Sequence, residues 1–198
     1  MIITGNRISL ERITADDLEL LRSWRNKPEI RSQMEYQQHI SAEAQKQWFD
    51  SLDPKLNYFF KISYASEAIG LIQIQNLNTS THTADSGLYI AKPSFWRTPI
   101  PYLASLPLLD LAFNFLKIKT LTAKVKKTNE AALNYNRSLG YHSQTDTNSS
   151  FTRLVCTRES FLATANHPHF LRFQQSYQAT GLAANQEGLF ISATIPES

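Results

Sequence analysis

The sequence predicts a mixed α/β (α+β) fold: a mostly antiparallel sheet of about seven strands flanked by helices, with a helical C-terminal extension. Three observations carry this. Short runs rich in β-branched and aromatic residues, several of them alternating apolar with polar, recur along the chain. Between them lie stretches whose apolar residues are spaced three and four apart, the period of a helix. After Thr157 the strand pattern stops. The expected organisation is therefore one domain over residues 1–157 and an extension over 158–198, helical and then partly mobile.

Taken in order, residues 7–13 alternate Ile8 and Leu10 against Ser9 and Glu11 and read as the first strand. Thr14 followed by Ala15-Asp16-Asp17 is a helix-start signal, with acids where the helix dipole favours them. Leu18, Leu21 and Trp24 continue at helical spacing; Pro28 restarts the helix, and Ile30 and Met34 extend its apolar face. Ser41 opens another helix carrying Trp48, Phe49 and Leu52. Three strands follow at residues 58–64, 68–75 and 86–91, the first two joined by a turn at Ala65-Ser66-Glu67 and the last two by a polar loop over 76–83. A long apolar helix (103–117), a strand (120–125), a helix (129–139) stopped by Gly140, and a strand pair (141–144 and 151–156) complete the domain. Beyond it, Ser160 to Thr164 and Pro168 to Gln178 read as helical.

Composition narrows the function classes. Of 198 residues, 42% are hydrophobic and 19% charged, and the aromatic residues suffice for a real core. The net charge of +3 and pI near 9.0 come from scattered basic residues, which suit a small anionic ligand and lack the dense patch of a nucleic-acid surface. The single cysteine, Cys156, allows no internal disulfide and sits in an apolar run, as a small buried residue does. Neither a signal-peptide pattern nor an apolar run near 18 residues is present, so the expected location is cytoplasmic and no membrane is expected as a partner. The pair His167 and His169 lacks a third neighbouring ligand, so no metal is expected.

Four local patterns carry a resemblance. Ser23-Trp24-Arg25-Asn26 is followed by Glu29-Ile30-Arg31, Met34, His39-Ile40-Ser41 and Trp48-Phe49. Ala84-Asp85-Ser86-Gly87-Leu88-Tyr89-Ile90 forms a strand. Leu111-Ala112-Phe113 ends a helix. Asn129-Glu130-Ala131-Ala132 precedes Leu139-Gly140-Tyr141. In this order they resemble the GNAT acyltransferase superfamily across residues 6–157. The closest subgroup holds ribosomal-protein N-terminal acetyltransferases and the sugar-nucleotide N-acetyltransferases of the pseudaminic-acid pathway. The resemblance implies a GNAT fold and acetyl-CoA as co-substrate without a metal. It also implies direct acetyl transfer to the amine of a small molecule, such as an amino sugar, or of a protein N-terminus. A homodimer through the sheet edge or the extension is the assembly it allows.

The same resemblance assigns the site. Leu88, Tyr89 and Ile90 would meet the pantetheine arm through their backbones, because the strand ending at Ile90 would splay from that at 121–125 and leave N–H and C=O groups without partners. Asn129 would hold the cofactor arm, although a helix N-cap explains it equally well. Asp85 stands where a carboxylate often serves as base, and is also an ordinary strand-start residue. Tyr135 neighbours the position of the usual acid, which here is Asn136. Trp24, Arg25, Glu35 and His39 fall in the segment that lines the acceptor pocket.

The loop Phe95-Trp96-Arg97-Thr98-Pro99-Ile100-Pro101-Tyr102 stands where the family closes glycine N–H groups on a pyrophosphate. Here Pro99 and Pro101 occupy the glycine positions and have no N–H. Arg97, Thr98, Ile100 and Tyr102 are left as cofactor contacts. A second reading therefore stands beside the enzyme: a GNAT-fold binding or interaction protein that does not bind CoA normally.

Overall fold

The computed structural model describes residues 2–5, 7–144 and 150–165. The strands are β1 (Ile2–Gly5), β2 (Ile8–Arg12), β3 (Tyr58–Tyr64), β4 (Glu67–Asn78), β5 (Thr83–Ile90), β6 (Thr120–Lys126), β7 (His142–Ser143) and β8 (Phe151–Thr157). They form one sheet in the order β1-β2-β3-β4-β5-β6-β8-β7. Every neighbouring pair is antiparallel except β5–β6, which is parallel. The helices are α1 (Leu18–Asn26), α2 (Pro28–Arg31), α3 (Ala42–Asp50), α4 (Ile100–Asp110), α5 (Glu130–Ser138) and α6 (Arg158–Ala165).

The sheet has one more strand than the sequence pattern gives. The expected first strand is β2, and β1 pairs with it through a turn in which Arg7 takes a positive φ of 64°. The loop expected over 76–83 is also shorter. β4 runs on to Asn78, because Asn76 adopts a φ of 56° within a register shift and the ladder to β5 resumes at Asn78–Thr83.

Period-two alternation builds two cores, one on each face of the sheet. On one face Phe59, Leu71 and Tyr89 pack against Leu21, Trp24 and Ile30 of α1 and α2. On the other, Phe60, Ile62, Ile72 and Ile90 pack against α4. Burying a side chain such as Phe60 contributes about 2–3 kcal/mol. Local signals fix the entry of the first-face helices. The Thr14 N–H donates to Asp17 Oδ2 at 2.9 Å, and Ser41 Oγ accepts from the Ala44 N–H at 3.1 Å.

The long helix begins at Ile100, with Pro101 in the first turn where its missing N–H costs least. Pro107 lies inside it, so the Leu103 carbonyl has no partner four residues on. The last turn widens into a π-helical segment, Leu111–Phe115. Phe113 from that turn stacks on Phe161 of α6 at 6.0 Å, so the start of the expected C-terminal extension contributes to the core. The rest of the extension, including the expected helix at Pro168 to Gln178 and the histidine pair, lies outside the described residues. Gly140 ends α5 with a φ of +88°, and a Cβ there would stand 2.4 Å from the Ser160 carbonyl oxygen, so no other residue fits.

Cys156 is fully buried, its Sγ 3.6 Å from the Leu139 carbonyl oxygen, and burial pushes its thiol up to about 11. Asp110 is buried at the end of α4. Burial pushes its carboxyl up to about 6, against the Asn114 amide that donates to Oδ1 at 2.7 Å and the nearby Arg158. A carboxyl raised in the folded state binds protons more tightly than in the unfolded chain. Its burden on stability is therefore absent below the unfolded value near 4 and grows as pH rises through 6. Asp110→Asn keeps an acceptor for Asn114 and removes the charge. It should raise stability at pH 8 by on the order of 2 kcal/mol, with the gain vanishing near pH 4, as read from urea midpoints. An Asn variant less stable than the parent at pH 8 would contradict the burial of an unpaired charge.

Candidate active site

The parallel ladder between β5 and β6 is short. It pairs Thr83 with Thr120, Ala84 with Leu121 and Asp85 with Thr122, and then stops. Beyond that point each strand keeps its other neighbour. β5 stays paired with β4 up to Gly70–Ile90, and β6 stays paired with β8 along its whole length. The opening therefore costs one stretch of ladder and leaves both strands held. Ser86 pins its apex: its hydroxyl donates to the Thr122 carbonyl at 3.1 Å. With that proton committed, the Tyr141 phenol is the donor in the 2.7 Å bond between the two hydroxyls.

Which backbone groups face the opening follows from strand geometry. The Ala91 N–H donates to the Ile69 carbonyl at 2.7 Å, toward β4, and successive residues turn to opposite edges. Gly87 and Tyr89 thus direct their backbones at β4, while Leu88 and Ile90 face the gap. The Tyr89 backbone, expected to meet the pantetheine arm, is thus directed at β4. The Ile90 carbonyl is already met by the Trp96 indole N–H at 2.8 Å, although Trp96 itself is 48% exposed.

A cleft of about 1710 Å³ opens at this divergence. Single-ligand pockets run about 300–1,000 Å³, so the cleft has room for two substrates. Its lining brings together Arg25, Glu35, Asp85, Leu88, Tyr89, Ile90, Arg97, Thr98, Tyr102, Asn129 and Tyr135. Three expected residues fall outside it. Trp24 is buried behind Tyr89, edge-on to its ring at 6.5 Å. His39 is exposed, and its neighbour Ile40 lines the cleft instead. The Ile100 side chain is buried in the core and its N–H is taken by Thr98 Oγ1 at 3.3 Å.

Asp85 stands at the apex. Its Oδ2 accepts from Asn76 Nδ2 at 2.9 Å and its Oδ1 from the Thr122 hydroxyl. Each oxygen keeps a lone pair for a further donor. Neither Asn76 nor Thr122 was singled out in the sequence, because each meets Asp85 only through strand register. Asn129 caps α5, its Oδ1 accepting from the Ala132 N–H at 3.0 Å, so the cap reading holds for that oxygen. Tyr135 reaches the cleft wall, but its hydroxyl is bonded to Ser105 of α4 and to the Pro101 carbonyl at 3.4 Å. Burial pushes that phenol well above its usual range.

One side of the cleft is walled by α1 and the loop after α2. Glu35 pairs with Lys124 of β6 at 3.1 Å, and Lys126 donates to the Ser32 carbonyl at 3.0 Å, so this loop is tied across the gap. Beneath it, Arg25 Nη1 and the Tyr89 hydroxyl are buried without a hydrogen-bond partner among the described residues. Burial lowers the affinity of Arg25 for its proton and raises that of the Tyr89 phenol.

The proline-bearing loop has spent most of its own donors. The Trp96 N–H bonds to the Pro93 carbonyl at 3.1 Å and the Thr98 N–H to the Phe95 carbonyl at 3.3 Å. Pro99 and Pro101 have none to give, and the Ile100 N–H is held by Thr98 as described. Arg97 is exposed on the cleft rim without an ion-pair partner among the described residues. Also among the described residues, no cluster of three metal-ligating side chains occurs and no helix is long and apolar enough to cross a membrane.

Residues 7–142 match the acetyltransferase (GNAT) domain family. The acetyltransferase PseH of Campylobacter jejuni subsp. jejuni is 30% identical over 123 residues, 61% of this chain and 74% of that protein. Among solved structures, spermidine N-acetyltransferase from Vibrio cholerae in complex with CoA and spermine aligns with a TM-score of 0.69 at 17% identity, covering 79% of this chain and 98% of that one. RimL, a ribosomal L7/L12 α-N-protein acetyltransferase in complex with CoA, aligns with a TM-score of 0.69 at 13% identity, covering 81% and 99%. At these identities the solved structures speak to the fold alone.

The unpartnered pair, Arg25 and Tyr89, makes a testable signature. A buried polar atom without a partner costs about 1–3 kcal/mol. Tyr89→Phe should therefore stabilise the ligand-free protein by about 1 kcal/mol in urea unfolding. A loss of similar size would mean that the hydroxyl is already satisfied.

Proposed function

This chain belongs to the GNAT acetyltransferase family, and from that premise we propose that it transfers acetyl from acetyl-CoA to the amine of a small, oxygen-rich acceptor such as an amino sugar. The observation that carries the proposal is the end of the β5–β6 ladder at Asp85–Thr122, which leaves the Leu88 edge of β5 without a strand partner. An extended arm bearing amides satisfies such an edge as a further strand would. Its thioester would then lie toward Asp85 at the apex, and the Asn129 amide would hold the arm.

In the reaction the amine nitrogen attacks the thioester carbonyl. The C–N bond forms, the C–S bond breaks, and the sulfur departs as thiolate. An α-amine with a pKa of about 8 is partly neutral at pH 7–8, so the base need only take a proton as the bond forms. Asp85 takes that role, directly or through one water. A thiol titrates at about 8.5, so a thiolate leaves without needing a strong acid. Tyr135, bonded to α4, is then assigned to packing. Arg25 and Tyr89 offer the acceptor two polar atoms with no partner of their own. Lys124 is held by Glu35, and Lys126 and Arg153 line the cleft together with Glu29 and Glu130, so the preference for oxygens over a polyamine rests on Arg25 and Tyr89.

The spent donors of the loop favour a second reading, a GNAT-fold interaction protein that does not bind CoA. Its signature is the absence of both thermal stabilisation by millimolar acetyl-CoA and any amine-dependent thiol release. The enzyme reading expects both signals, with amino sugars used in preference to spermidine. Under it, Asp85→Asn should lower kcat by about 100-fold or more while leaving acetyl-CoA affinity unchanged, and Tyr135→Phe should stay within about threefold of the parent. Full activity in Asp85→Asn would remove Asp85 from the mechanism.

A further inference from the structure

Donor recognition in this fold has two separable parts, and the structure treats them differently. The part that reads the amide arm is intact. Leu88 turns its N–H and C=O into the gap, and Ile90 does the same with its carbonyl held by an exposed indole that an arriving arm can displace. The part that reads a pyrophosphate is missing. Binding two adjoining phosphates at a helix start takes several converging amide N–H groups. Here two positions are proline, and the amides of Trp96, Thr98 and Ile100 are bonded within the loop. Of the loop's own groups, the Arg97 backbone N–H and its exposed guanidinium remain at the rim. One guanidinium suits one phosphate group.

We propose that the acyl donor is read as an acyl-4′-phosphopantetheine, through its amide arm and its one phosphate, and that the nucleotide half of coenzyme A adds little to binding. This rests on the transferase reading above and changes its donor class. The same thioester is offered by coenzyme A and by small acidic carrier proteins bearing a phosphopantetheine arm. Trp96 and Arg97, both exposed beside the groove, leave its mouth open to either. The chemistry at the thioester is the same for both: nitrogen replaces sulfur at the carbonyl carbon, and the thiolate stays on its carrier.

The test is a titration series by calorimetry with acetyl-pantetheine, acetyl-4′-phosphopantetheine and acetyl-CoA. Two amide donors on a pyrophosphate would be worth about 100-fold in affinity. The proposal expects acetyl-CoA to bind less than about tenfold tighter than acetyl-4′-phosphopantetheine. It expects acetyl-pantetheine to bind about 3- to 10-fold weaker than the phosphorylated arm, a difference that Arg97→Ala abolishes. A preference for acetyl-CoA beyond tenfold, or a phosphate effect that survives Arg97→Ala, overturns it while leaving the transferase reading standing. If no member of the series binds, the transferase reading falls as well. A fourth arm, a carrier protein charged with acetyl-4′-phosphopantetheine, separates the sources: turnover at least equal to that with acetyl-CoA identifies the carrier, and lower turnover identifies coenzyme A.

Discussion

The divergence of β5 from β6 after Asp85–Thr122 is the constraint on which the rest of this structure depends. A parallel pair cannot open unless each strand is held from the other side, and here both are. β4 holds β5 as far as Ile90, and β8 holds β6 through all seven of its residues. Ser86 fixes where the opening begins, with its proton on the Thr122 carbonyl and its oxygen under Tyr141. From that point follow the cleft, the unpaired edge of Leu88, and the position of Asp85 where the two strands part.

Polar satisfaction distinguishes the site from the scaffold. Away from the cleft, Asp17 shows a buried carboxylate with a charged partner. Lys61 bridges Asp17 at 2.7 Å, and although burial opposes it, the bonds from Lys61 and the Thr14 N–H hold the Asp17 carboxyl below its usual range. In the cleft the accounts stay open at Arg25 and Tyr89. Unpaired groups of this kind destabilise the empty protein and are retained where a ligand supplies the missing partner. The proline-bearing loop is the reverse case. Its Trp96, Thr98 and Ile100 N–H groups are bonded within the loop, and Pro99 and Pro101 have none.

Much of the fold was legible in the sequence because its signals are local. Thr14 with Asp17, Ser41, Pro28 and Gly140 mark element ends by their own chemistry, and alternation marks β2 through β6. β1 escaped because four residues before a turn carry too short a period to read. The extent of β4 escaped because Asn76 reads as a loop residue, while its φ of 56° absorbs a register shift and lets the strand continue. At the site, the strand Asp85 to Ile90 was legible, but the edge each backbone group faces was not. That depends on pairing with β4, which turns the Tyr89 backbone toward β4 and the Leu88 backbone toward the gap. Likewise Trp24 and His39 lie among residues that line the cleft, yet packing places the first behind Tyr89 and the second outside the cleft. The loss of loop donors to Pro99 and Pro101 was visible in the sequence. The loss of Trp96, Thr98 and Ile100 to internal bonds was not.

Amide hydrogen exchange along β5, with and without saturating acetyl-CoA, tests the central claim most directly. The N–H groups of Gly87 and Tyr89 already face β4 and should be protected in both states, whereas those of Leu88 and Ile90 face the gap and should gain protection only when the donor is bound. A bound donor that leaves Leu88 and Ile90 exchanging as fast as before would show that the open edge of β5 is not where the arm lies, and would contradict the account at its base.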